Sequence, residues 1–188
     1  GLSRLFFAGA LLLCGLAAIL APYFMQWVAP GFSPSDQALA VRLTRIMLAS
    51  PIFLGLSGIV SSVIQIYRRF FIYALSALFY NLGIIGGILL FVPFFGLAGL
   101  AWGVVLGAAL HLAVQLPSFI SLGFRLTFSP RIWRSLIPHA VREVVSLSFP
   151  RMVAGSLGTL TTLILVALAS TMGGGSISIF QFANNLRY

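Results

Sequence analysis

Two histidines, one cysteine and two carboxylates are all that this 188-residue sequence offers for acid-base, nucleophilic or metal chemistry. They fall on different segments, and no spacing rule joins them into a triad, a metal site or a paired acid and base. We therefore expect no catalytic residue, no metal, no cofactor and no enzyme. His111 sits within an apolar run with Gln115 one helical turn further on. That spacing suits a buried hydrogen bond between helices, with a proton relay as the alternative. His139 follows Pro138 in a connection and reads as a surface residue. Cys14 lies in an apolar run, reads as a small packing residue, and has no second cysteine to pair with.

The remaining chemistry is arginine chemistry, because all 11 basic residues are Arg. Arg187 is the one that does not belong at an interface. Counted from Ser176, it lies roughly 17 Å into the last apolar run at the helical rise. An arginine at that depth costs at least ~3 kcal/mol unless it meets water or an anion. Arg187, with Asn184 and Asn185 beside it, is therefore the candidate substrate-binding group; the alternative is that the helix turns or ends there. Asn81 and Gln65 are further polar groups in apolar runs, expected to face protein or a water-filled cavity.

The elements that must position these residues follow from composition. The chain is 60% apolar and only 7% charged, against roughly a quarter charged in a soluble domain. A soluble core of this length cannot hide so much apolar surface, and the net charge of +9 forms no stripe of the kind nucleic acid requires. The solvent is lipid. Apolar runs extend from about Leu5 to Ala29, Leu43 to Ile66, Ile72 to Phe95, Leu97 to Ile120 and Leu147 to Ser170. Each is long enough to cross a core of about 30 Å. A sixth begins near Ser176 after the turn Gly173, Gly174, Gly175. Continuous runs favour helices over barrel strands, which alternate. The fold class expected is an all-α polytopic membrane protein, a partial two-lobed helix bundle with five full spans and the start of a sixth.

The other arginines fix orientation. Arg4, Arg68, Arg69, Arg125, Arg131, Arg134, Arg142 and Arg151 fall on one side of the predicted spans, and only Arg42 and Arg45 edge the other. The arginine-rich side is expected to be cytoplasmic. The one long connection, Ser121 to Ser146, mixes Ile132, Trp133 and Leu136 with arginines. It suits either a short helix in the headgroup layer or a plain basic loop. It divides the chain into a first lobe over 1–120, a basic cytoplasmic linker over 121–146 and the start of a second lobe over 147–188.

Glycines and prolines describe the packing. Gly99, Gly103 and Gly107 form a ladder on one face of the fourth span, and Gly83 with Gly87 forms a second in the third, so close helix packing is expected. Pro22, Pro51 and Pro117 fall within spans and can kink them, in a moving or in a static bundle.

Several stretches, in order and nearly from end to end, resemble the MurJ/MviN-type lipid II flippases of the multidrug/oligosaccharidyl-lipid/polysaccharide exporter superfamily. They are APGF at Ala29 to Phe32, LTRIMLASPIFLGLSGIVSSVIQIYRRFF from Leu43 to Phe71, YNLGIIGGILL from Tyr80 to Leu90, GLAWGVVLGAALHLAVQLP from Gly99 to Pro117, SFPRMVAGSLG from Ser148 to Gly158 and GGGSISIFQFANNL from Gly173 to Leu186. The resemblance implies a 14-helix, two-lobed protein of the bacterial cytoplasmic membrane. It would move undecaprenyl-diphosphate-linked peptidoglycan precursor to the outer leaflet for cell wall synthesis. This chain would be an internal fragment holding the third to seventh helices and the start of the eighth. The family's cavity arginines and acidic residue of the first two helices would precede Gly1. In the eighth helix many members place an arginine directly after YAN or YAD, aligned with Asn185. Here FANNLRY delays it by two positions to Arg187, a rotation of about 200°. Tyr73 and Ala77 stand where prolines are common after RRF.

The expected partners are a polyprenyl-diphosphate-linked glycan, lipid II, and membrane lipid, without nucleic acid; protein partners are left open. Two alternatives stay open. One is a flippase for another polyprenyl-linked glycan, or a drug exporter, of the same superfamily. The other is a non-transporting membrane scaffold.

Overall fold

A computed structural model describes the backbone of residues 2–124 and 137–186 and the side chains of 7–124 and 146–186. Seven helices and no strand are found among the described residues: α1 (Leu2–Val28), α2 (Pro34–Met47), α3 (Ser50–Ile66), α4 (Phe70–Phe95), α5 (Leu97–Ser121), α6 (Ile137–Ser170) and α7 (Ser176–Leu186). Five helical stretches are long and apolar enough to cross a membrane: Phe7–Val28, Pro34–Ile66, Phe70–Phe95, Leu97–Ser121 and Ser146–Ser170. Helices are what such runs must form, since lipid offers no partner for a bare N–H or C=O. The chain is a multi-pass membrane protein.

Two departures from the sequence reading have local causes. The second span is not one helix from Leu43. It starts at Pro34 and breaks at Leu48 and Ala49, between α2 and α3. Pro51 stands in the first turn of α3 and has no N–H to give the Met47 carbonyl. Around the break, Leu48 still donates to Thr44 (3.0 Å) but Ala49 shortens its step to Ile46 (3.2 Å). The second departure is the linker. Residues 137–146 are helical and run on into the fifth span within the 34 residues of α6, with Pro150 inside. Ile132, Trp133 and Leu136 lie outside the described residues.

By contacts the chain divides into two compact units, Gly1–Ala21 with Arg42–Ser129, and Pro22–Val41 with Pro130–Tyr188. The core of the first is α3, α4 and α5. Val60, Ile64, Leu112 and Phe119 are buried together, with Phe53, Leu56, Val63, Ile72 and Leu116 packed around them. Helices α4 and α5 fold back on each other through Gly96, whose φ of 57° suits a residue without a Cβ. Arg68 takes the same left-handed region, with φ 58°, between α3 and α4. Its N–H reaches Gln65 O (2.9 Å) and that of Arg69 reaches Ile64 O (3.1 Å), the pair of bonds that closes a helix in a Schellman motif.

In the second unit, Ser33 caps α2. Its hydroxyl accepts from the Asp36 N–H (3.2 Å) and donates to Asp36 Oδ2 (2.6 Å), so the only carboxylate with a described side chain doubles as the capping partner. Gly31 lies against the end of α6, its N–H donating to Ser170 Oγ at 3.2 Å. A Cβ there would run into the Ser170 carbonyl.

Candidate functional site

Among the described residues, the strongest concentration of polar side chains inside the apolar body is a cluster where α3, α4 and α5 meet. Ser57 and Ser61 are one turn apart on α3, His111 and Gln115 one turn apart on α5, and Ser76 faces both from α4. Ser57, Ser61, Ser76 and Gln115 are all buried. Ser61 Oγ donates to Gln115 Oε1 (2.9 Å), and Gln115 Nε2 donates to Ser76 Oγ (2.9 Å). Ser76 spends its own proton on the Tyr73 carbonyl (2.6 Å). Toward His111 Nε2, 3.2 Å away, Ser76 must therefore accept. That assigns the proton of a neutral imidazole to Nε2 and leaves Nδ1 to accept from Ser57 Oγ at 2.6 Å. The Tyr80 ring stands edge-on to the imidazole, with centroids 6.2 Å apart.

This network links three helices with each hydroxyl proton and amide group engaged, an arrangement that rigidifies a bundle. It holds no carboxylate to activate a serine. Among the described residues no group of three His, Cys, Asp or Glu could hold a metal ion. The sequence pointed to His111 and Gln115 but not to the three serines. Their signal was the matching i, i+4 pair on α3, Ser57 with Ser61. The Ser50 hydroxyl at the start of α3 is buried without a partner among the described residues.

Around it the α4 and α5 backbones touch along the glycine faces. A Cβ on Gly83 or Gly87 would collide with Gly107 or Gly103, respectively; one on Gly107 would lie 2.5 Å from the Tyr80 carbonyl oxygen, and one on Gly99 2.5 Å from Phe91 C. At the end of the same helices Arg69 reaches across to α5. Its guanidinium donates to Ser118 Oγ (3.2 Å) and Ser121 Oγ (2.8 Å). Arg68 beside it is exposed, without a side-chain bond among the described residues.

The other candidate residues are not gathered here. Asn184 is half-buried and Asn185 exposed on α7, and neither makes a side-chain hydrogen bond among the described residues. Arg187, Arg125, Arg131 and Arg134 lie outside the described residues, as do the side chains of Arg142 and His139. Arg151 is exposed on α6. Asn81 is exposed and bonds back to Ala77 O of its own helix (3.1 Å), and Gln65 is exposed as well. Arg45, an expected loop-edge residue, sits in the last turn of α2 and donates through Nε to Ala18 O of α1 (3.0 Å).

Comparison with known proteins gives one consistent answer. Residues 1–187 match the family model described as lipid II flippase MurJ. The chain is 29% identical over 163 residues to the lipid II flippase MurJ of Burkholderia cenocepacia, covering 85% of this chain and 32% of that protein. To the probable lipid II flippase MurJ of Buchnera aphidicola subsp. Acyrthosiphon pisum it is 28% identical over 179 residues, 91% of this chain and 34% of that one. To that of Borreliella burgdorferi it is 34% identical over 137 residues, covering 70% and 25%. The chain thus spans about a third of the length of the curated relatives it matches.

Proposed function

The chain belongs to the lipid II flippase MurJ family, and from that premise we propose that it is part of a bacterial inner-membrane transporter that moves lipid II from the inner to the outer leaflet. The observation that carries this reading is the family match over residues 1–187, on a chain built as five apolar helical spans. On this reading the helices described supply the third to seventh of a two-lobed protein and the start of the eighth, and the arginine-rich connections face the cytoplasm.

The physical task is to carry a polar diphosphate-sugar headgroup through a low-dielectric layer while its polyprenyl tail stays in lipid. Alternating access by two lobes does so without exposing the headgroup to hydrocarbon. A cationic, hydrated cavity suits the diphosphate, and the planar guanidinium fork binds phosphate oxygens two at a time. Arg187 is the group proposed to meet it, flanked by Asn184 and Asn185. Such a cycle needs rigid bodies and hinges. The hydrogen-bonded, glycine-packed α3–α4–α5 block supports the first, and the proline break between α2 and α3 supports the second.

Cells depleted of their own flippase and given the full-length gene test this. Growth and precursor export are restored on this reading, and Arg187→Ala at normal expression impairs both. Full rescue by Arg187→Ala removes Arg187 from the site, and no rescue by the unaltered gene opposes the flippase reading.

A further inference from the structure

Pro22 lies inside α1 and has no N–H to give the carbonyl four residues back, that of Ala18, which its ring also crowds. Ala18 is in the middle of the apolar stretch Phe7–Val28, roughly 17 Å along the helix from Phe7 at the helical rise. A bare C=O at such depth is costly, because lipid offers it no donor. Arg45 of α2 supplies one: its Nε donates to Ala18 O at 3.0 Å. The arginine has the converse need, since a charge drawn this far into a span is costly without an acceptor. One bond meets both requirements.

Arg45 stands two residues into the apolar run that starts at Leu43, and a side chain of its length can snorkel from there back to the interface. It is fixed at Ala18 O instead. We infer that Arg45 is a tether set by Pro22: it fills the acceptor that the proline leaves open in α1, and so fixes the end of α2 to α1 at mid-membrane. Arg45 precedes by three residues the break at Leu48 and Ala49 between α2 and α3, so the tether holds the α2 side of that break against α1. The inference goes beyond the flippase reading and does not depend on it.

A double-substitution cycle on the full-length protein in lipid nanodiscs, read by thermal unfolding, tests this. Arg45→Met removes the donor and keeps the apolar stem, and Tm falls by roughly 2–4 °C, the scale of one hydrogen bond to a charged group. Pro22→Ala restores an N–H to Ala18 O, so adding Arg45→Met to it lowers Tm by less than about half as much. Removal of the charge itself acts equally in both backgrounds and drops out of the comparison. Arg45→Lys, which keeps a donor within reach of the carbonyl, recovers about half of the loss or more. If Arg45→Met alone yields no folded protein, the double variant folds. Equal losses from Arg45→Met in the two backgrounds, no loss in either, or a double variant that also fails to fold overturn the tether. So does an Arg45→Lys protein no more stable than Arg45→Met.

Discussion

The Ser57 hydroxyl stands 2.6 Å from Nδ1 of His111, and this bond joins α3 to a network that also ties α5 to α4 through Ser76 and Gln115. Lipid supplies no hydrophobic drive between helices, so such bonds and close backbone packing must hold the three together.

Replacing Gln115 by Leu leaves Ser61 without its acceptor and is expected to cost about 1–2 kcal/mol, with His111→Leu costing about 1 kcal/mol. Because both residues bond Ser76, the double variant should lose less than the two single losses combined. Thermal unfolding of the four proteins in detergent measures the coupling, and strictly additive losses contradict a shared network.

The glycine faces make a positional prediction. Gly107→Val drives a side chain into the Tyr80 carbonyl and should abolish folded, detergent-stable protein. Gly86, next to Gly87, has nothing within 4 Å of an added Cβ, so Gly86→Ala should change stability by less than about 1 kcal/mol. Size-exclusion profiles and Tm of the two variants decide.

At the turn after α3, adjacent arginines should respond oppositely. Arg68→Gly relieves a left-handed backbone and should stabilise by about 1 kcal/mol. Arg69→Ala removes both bonds to Ser118 and Ser121 and should destabilise by about 1–2 kcal/mol. Equal effects on Tm contradict this division of labour.

Pro51→Ala returns an N–H to the Met47 carbonyl and should join α2 to α3. Stability is expected to rise by about 1 kcal/mol or more, while lipid II transport by the full-length protein slows. Transport at the original rate in a stabilised variant would show that the break is not a hinge.

The spans were legible because continuous apolar length is the most direct signal a sequence can carry, and all five span ends, at Val28, Ile66, Phe95, Ser121 and Ser170, fall within one residue of the reading. Local backbone chemistry was less so. The break at Leu48 depends on where Pro51 sits relative to Met47, and α6 starts at Ile137, ahead of the apolar run that hydropathy marks. The glycine pairs were visible as spacing, but which glycine meets which required two helices in register. His111 and Gln115 stood out as polar residues in an apolar run. Their serine partners did not, because serine is common in spans and only the matching i, i+4 spacing of Ser57 and Ser61 marked them. Asn81 shows the converse, a polar residue that satisfies itself on its own helix.

Transbilayer movement of lipid II is the most direct test of the flippase reading. Sealed vesicles carrying the full-length protein, with lipid II in both leaflets, are treated with an impermeant reagent that modifies the exposed headgroup. On the flippase reading, modification proceeds beyond the outer-leaflet half toward the whole pool, while protein-free vesicles stop at half. Modification that stops at half in vesicles containing folded protein would contradict it.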